Sequence, residues 1–224
     1  MNKALSHLYA THHSKGAYYN TTWREAGRVP LFSAFCKQYV PLSEYADVAD
    51  FGSRDGYFLS RIIPSQCTVT CVDIDEHALA QSRHLLQGAV QECRTVHADL
   101  NERLPLEDES FDLIIASEII EHLIDPAHFL SECFRLLKRG GVLVGSTPNA
   151  HRFDKRLYAL MGVDPKAHSD PTHLQYFSLA SLRERITSVS ATSAVHPYRG
   201  DDVQSFLPSV LADGFIFVCK KTYS

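Results

Sequence analysis

The chain contains no CxxC pair, no Cys/His spacing of a zinc site, no excess of basic charge and no run of the roughly 18 apolar residues that a membrane span needs. Each absence removes a class of function. Six cysteines (Cys36, Cys67, Cys71, Cys93, Cys133, Cys219) are scattered, several inside apolar runs as ordinary core thiols are, and point to a reducing compartment. A formal charge of −4 and a pI near 6.3 give no electrostatic hold on a polyphosphate backbone, so nucleic acid is not the expected partner. The stretch "MNKALSHLYATHHSKG" lacks the continuous apolar segment of a secretion signal, and a cytoplasmic protein is expected. With 224 residues, 45% of them hydrophobic, the chain can bury one sizeable core, and a single domain is expected.

What the sequence does contain is a regular alternation. Short β-rich runs, "ADVADF" (46–51), "TVTCVDI" (68–74), "TVHADL" (95–100), "FDLIIAS" (111–117) and "GVLVGST" (141–147), are separated by amphipathic segments. "DEHALAQSRHLLQGA" sets Ala78, Leu79, Ser82, Leu85 and Leu86 near one face before Gly88. "PAHFLSECFRLLKRGG" opens on Pro126 and is expected to end on Lys138, Arg139 and two glycines. Parallel strands need crossover connections, so strand and helix in alternation predict an α/β, doubly wound, mostly parallel sheet. Such sheets bind ligands at the carboxyl ends of their strands.

Those ends carry acids: Asp50 and Asp55 around the first, Asp73 and Asp75 at the second, Asp99 at the third, and Ser117 to His122 after the fourth. The first turn, "DFGSRDG", has Gly52, Ser53 and Gly56, but Arg54 stands where a dinucleotide loop would have its middle glycine. An aspartate inside the loop argues against a phosphate ligand and for one with a cationic end, an α-amino group or a sulfonium. Asp73 is placed to accept both hydroxyls of a ribose. Asp99 can accept from an exocyclic adenine amine, with Ile74 and Leu100 as apolar faces for the ring. Ribose, adenine and an amino acid together make S-adenosylmethionine.

Through "VADFGSRDGYF", "CVDIDEHAL", "HADLNERLPLEDESFDLIIASEIIEHLIDP" and "LLKRGGVLVGSTPN", residues 46–150 resemble the class I S-adenosylmethionine-dependent methyltransferases. The resemblance implies a Rossmann-like seven-stranded sheet whose last strand, "GFIFVCKKT", is antiparallel. It implies a cofactor site of Asp50, Gly52, Ser53, Arg54, Gly56, Asp73, Ile74, Asp99, Leu100 and Ser117. It divides the chain into an amino-terminal cap (1–45), a cofactor-binding core (46–147), a substrate lid (148–177) and the rest of the sheet (178–224). Tyr18, Tyr19, Trp23 and Arg28 of the cap, which looks helical beyond Pro30, are placed to close over the methionine end.

Methyl transfer needs an in-line nucleophile and, for a hydroxyl, a base. His122 and His173 are the candidates. If 118–122 form a helical turn, Glu118, Glu121 and His122 share a face, and with His173, or His168 in its place, they make a donor set for Mg²⁺ or Mn²⁺. These stretches resemble two branches of the family, the ubiquinone-type O-methyltransferases and the metal-dependent small-RNA 2′-O-methyltransferases. A small-molecule acceptor is expected; the alternatives are RNA 2′-O-methylation and a non-catalytic binding or scaffold protein.

Overall fold

The computed structural model describes residues 22–39, 46–164, 170–190, 192–200, 202–203 and 206–222. Its centre is one sheet of eight strands: β1 (Asp47–Phe51), β2 (Thr68–Asp73), β3 (Glu92–His97), β4 (Phe111–Ser117), β5 (Leu137–Pro148), β6 (Ser193–Arg199), β7 (Asp202–Val203) and β8 (Gly214–Lys220). They lie in the order β3-β2-β1-β4-β5-β8-β6-β7. The pairs from β3 through β5 are parallel, while β8 is inserted antiparallel between β5 and β6. The expected doubly wound sheet with its last strand antiparallel is present, extended by the two-residue β7 at the edge.

Strands buried on both faces explain the near-continuous apolar runs. In β4, Leu113 and Ile115 join one core with Phe32, Leu79 and Leu86, while Ile114 and Ala116 join the other with Phe129, Leu130 and Leu182. The helices supply those residues: α1 (Thr22–Tyr39), α3 (Glu76–Leu86), α4 (Pro126–Leu136) and α6 (Leu179–Thr187). α2 (Tyr57–Ser60) follows β1, α5 (Phe153–Leu160) follows β5, and α7 (Pro208–Leu211) precedes β8. Asp75 caps α3 by accepting from His77 and Ala78 N–H, Asp125 caps α4 with Pro126 behind it, and Ser178 and Ser181 form a reciprocal capping box on α6. Five of the six cysteines are buried, as core thiols should be, and none is paired in a disulfide.

Three boundaries differ from the sequence expectation, each for a local reason. The third strand spans Glu92–His97 rather than 95–100, because Asp99 Oδ1 accepts from both Asn101 N and Asn101 Nδ2 and turns the chain out of the sheet. α4 ends at Leu136, because Lys138 is drawn to Asp47 and Asp112 at the amino ends of β1 and β4, at 2.8 Å from each, so the chain is already extended there. α1 runs from Thr22 with Pro30 inside it rather than beginning after the proline. Tyr18, Tyr19, His168 and the side chain of Trp23 lie outside the described residues.

The order of strands fixes where a ligand can sit. From β1 the chain winds outward to β2 and β3, then returns to the other side of β1 as β4, so the crossovers leave β1 and β4 in opposite directions and open a crevice at their carboxyl ends. Among the described residues, no helix is long and apolar enough to cross a membrane.

Candidate active site

A cleft of about 390 Å³ lies at that switch point, within the size range of small-molecule sites. Its lining includes nine of the ten candidate cofactor residues, Gly56 being the exception, together with Glu118, Glu121, His122 and His173.

The turn after β1 is built around left-handed backbone. Gly52 and Gly56 have φ of 72° and 76°, and Arg54 between them has φ of 48°. A Cβ on Gly52 would run into Ile119, and one on Gly56 would lie 2.9 Å from Ser82 Cβ. Arg54 meets the same backbone demand as the glycine it replaces, at the conformational cost a side chain incurs there. Its N–H donates to Asp73 Oδ2 and that of Asp75 to Asp73 Oδ1, both at 2.9 Å. The Asp73 carboxylate is thereby held in one orientation. Asp50 is buried at the end of β1; burial, reinforced by the nearby charge of Asp73, pushes its carboxyl well above the usual range.

The floor continues through Ile74, Asp99 and Leu100 to Asn101, a residue the sequence reading missed. Asn101 Oδ1 accepts from Ile124 N at 2.8 Å and ties the end of β3 to the turn after β4.

The expected helical turn over 118–122 is replaced by something tighter. Glu118 has φ of 58°, and a 3₁₀ turn begins only at Ile120. Glu118 consequently leaves the group it was expected to join. Its Oε1 accepts from Ser146 Oγ at 2.8 Å and its Oε2 meets Arg28 Nη1 at 2.9 Å. Arg28 reaches in from α1 and also lies over the Phe58 ring. Ser117 Oγ stands 3.3 Å from the same Ser146 hydroxyl.

Glu121, His122 and His173 do come together, each offering a ligand atom within 4.8 Å of the others. The imidazoles of His122 and His173 meet edge to face with centroids 4.7 Å apart. His173 arrives from far along the chain because Leu174 and Gln175 N–H both donate to the Glu121 carbonyl at 2.8 Å. Among the described residues, no hydrogen bond of ordinary geometry reaches either carboxylate oxygen of the buried Glu121, although the Thr147 hydroxyl beside it eases its burial. Burial, and secondarily the charge of Glu118, raises the Glu121 carboxyl well above its ordinary value. Burial lowers the His173 imidazole, so that it is neutral at pH 7.

Around them Arg152 and Tyr198 had no motif to mark them, whereas Asn149 ends the quoted "STPN". Arg152 bridges Asp154 and Asp213 at 2.6 and 2.7 Å, and Asn149 of "STPN" is spent on the Ala212 carbonyl at 3.0 Å. Tyr198, buried at the end of β6, completes the wall beside Arg28.

A doubly wound sheet with this crevice defines the chain as a Rossmann-like α/β protein. A model of the methyltransferase-domain family matches residues 49–145. Over 107 residues the chain is 39% identical to a protein of Mycolicibacterium smegmatis named as a probable S-adenosylmethionine-dependent methyltransferase, a match covering 48% of this chain and 40% of that protein. Over 120 residues it is 33% identical to the ubiquinone biosynthesis O-methyltransferase of Pseudomonas fluorescens, covering 52% of this chain and 50% of that one. The fold superimposes on a SAM-dependent methyltransferase from Aquifex aeolicus with a TM-score of 0.63 at 17% identity, over 91% of this chain and 94% of that chain. Through residues 49–145 the chain is thus similar to the S-adenosylmethionine-dependent methyltransferases, on a fold that these enzymes share. The matches span from two fifths to half the length of these two curated relatives.

Two substitutions test the energetics of the cleft. Arg54→Gly removes a side chain from left-handed backbone and is expected to stabilise the fold by about 1 kcal/mol in urea denaturation. A loss of stability would show that contacts of the Arg54 side chain outweigh the strain. The second is Glu121→Gln. In the unfolded chain Glu121 ionises near 4.5, whereas the native state keeps its proton to higher pH. Wild-type stability from this group is therefore complete below that value and is lost as pH rises towards the native pKa. Glutamine is expected to match the wild type near pH 4.5 and to exceed it by about 1–3 kcal/mol at neutral pH. An equal difference at both pH values would mean that the buried carboxylate is compensated in solution.

Proposed function

We propose that the chain transfers a methyl group from S-adenosylmethionine to an oxygen of a small molecule, with the His122 and His173 pair supplying the base. The carrying observation is the meeting of these two imidazoles over a buried carboxyl at the carboxyl end of β4, in the crevice that also contains Asp73.

The residues present fit the cofactor. Glycines shape a turn in which added side chains would collide, and the buried Ser53 hydroxyl, without a hydrogen-bond partner among the described residues, lines the same cleft. Asp73 would accept from the ribose hydroxyls, Ile74 and Leu100 would flank the adenine, and Asp99 would accept from its amine. Asp50 would stand near the cationic methionine part, where a positive charge favours its ionised form. When bound, the cofactor supplies a methyl group on a sulfonium leaving group. The protein's own part is then to hold the acceptor in line and to take its proton. His173, whose imidazole is kept from protonation by burial, is suited to that, and His122 is its partner in the pair.

The relative named for ubiquinone O-methylation favours an oxygen acceptor, and the net charge of −4 gives no ground for a polyphosphate one. A second reading is favoured by one observation: Glu121, His122 and His173 are spaced as ligands of a single Mg²⁺ or Mn²⁺, with a buried carboxylate among them. Glu118, engaged by Arg28 and Ser146, would take no part unless that pair opened.

Calorimetric titration with S-adenosylmethionine tests the cofactor half. Asp73→Ala is expected to weaken binding about 10- to 100-fold, the loss of one or two charge-assisted hydrogen bonds. With labelled cofactor and a panel of phenolic, catecholic and hydroxy-acid acceptors, His122→Ala or His173→Ala is expected to lower kcat about 10²- to 10⁴-fold. Transfer only to RNA would overturn the small-molecule acceptor, transfer lost on chelation and restored by Mn²⁺ would favour the metal reading, and no cofactor binding would leave the scaffold alternative.

A further inference from the structure

The segment that brings His173 into the cleft also contains a polar chain that ends on His122. Asp170 Oδ1 accepts from Thr172 N at 2.8 Å and from the Thr172 hydroxyl at 2.5 Å. Thr172, 2% exposed, places its hydroxyl oxygen 3.0 Å and its carbonyl oxygen 3.2 Å from His122 Nδ1. His173 N–H donates to the Asp170 carbonyl at 3.1 Å, so one residue anchors the approach of both histidines.

The direction of every proton in this chain follows from which atoms can donate. A carboxylate oxygen and a peptide carbonyl only accept. The 2.5 Å contact between Thr172 Oγ1 and Asp170 Oδ1 therefore needs the hydroxyl proton between them, which leaves the hydroxyl only lone pairs to offer His122. The Thr172 carbonyl has no proton to give either. Nδ1 of His122 faces two acceptors and must carry the hydrogen itself. The neutral ring then has its lone pair on Nε2.

We infer that Asp170 and Thr172 are positioning residues that hold His122 as the Nδ1–H tautomer, presenting Nε2 as the atom that takes the acceptor's proton or binds a cation. The inference rests on the proposed role of His122 and extends it from a residue to an atom. A base needs both its ring orientation and its tautomer fixed before the acceptor arrives, because a ring turned over by 180° would put Cε1–H, and the other tautomer Nε2–H, where a lone pair is required. Thr172 does this with two oxygens of one residue. Asp170 keeps the hydroxyl proton from pointing at Nδ1, which would select the opposite tautomer.

The experiment reads the ring itself and needs neither cofactor nor acceptor. Long-range ¹H–¹⁵N correlation spectra of ¹⁵N-histidine-labelled protein, recorded where imidazoles are neutral and assigned by the signal lost in His122→Gln, report which nitrogen bears the hydrogen. The expected wild-type spectrum shows Nδ1 protonated and Nε2 bare. Thr172→Val, which keeps the carbonyl but removes the hydroxyl, and Asp170→Ala, which frees the hydroxyl proton to donate to Nδ1, are each expected to populate the Nε2–H form. Thr172→Ser is expected to retain the wild-type pattern. An Nε2–H ring in the wild type, or a folded Thr172→Val and Asp170→Ala both showing the wild-type pattern, would overturn the assignment. Because the readout precedes any chemistry, its failure is distinct from a failure to bind S-adenosylmethionine or to transfer a methyl group.

Discussion

Two backbone hydrogen bonds hold the site together. The N–H groups of Leu174 and Gln175 both donate to the carbonyl of Glu121, and they clamp a late segment of the chain onto the turn after β4. Gln175 adds a side-chain bond to the Leu123 carbonyl at 3.1 Å. Without this clamp, His173 and Thr172 would have no fixed relation to His122. The clamp depends in turn on the 3₁₀ turn that presents the Glu121 carbonyl, and hence on the left-handed Glu118 that lets the chain enter that turn directly from a strand. The two sides of the cleft are thus one structure, joined at the Glu121 carbonyl and reinforced at the Leu123 carbonyl and by Thr172 on His122.

The cofactor half was legible because its signals are local. Asp73 sits at the end of an apolar run, Gly52 and Gly56 bracket a turn, and Asp75 and Asp125 cap the helices that follow, so spacing along the chain translates directly into place in the sheet. The acceptor half is assembled from distant segments. Arg28, Thr172, Tyr198 and Asp213 share one cleft without sharing a periodicity or a motif. A helical turn over the whole of 118–122, on which the grouping of Glu118 with Glu121 and His122 was conditional, narrows to Ile120–His122 because Ser146 and Arg28 engage the Glu118 carboxylate, which local propensity cannot anticipate. The early end of α4 has the same cause: Lys138 answers two aspartates that are neighbours only in the folded sheet.

The cleft is also where the fold departs from what stability alone would choose. Among the described residues, two of the four non-glycine residues with positive φ, Arg54 and Glu118, line it, and so do the buried carboxyls Asp50 and Glu121 with pKa values raised by desolvation. Elsewhere the two cores are mainly apolar, and Asp75, Asp125 and Ser178 cap the helices they precede. Strain and uncompensated polarity gathered in one crevice are the mark of a site shaped for a ligand, because only a ligand makes such groups favourable.

A crystal structure of the chain with S-adenosylhomocysteine tests the cofactor assignment most directly. The expected complex has the ribose hydroxyls on the two oxygens of Asp73, the adenine between Ile74 and Leu100 with its amine at Asp99, and the sulfur on the side of His122 and His173. A ligand seated elsewhere, or a cleft left empty at saturating ligand, would contradict it.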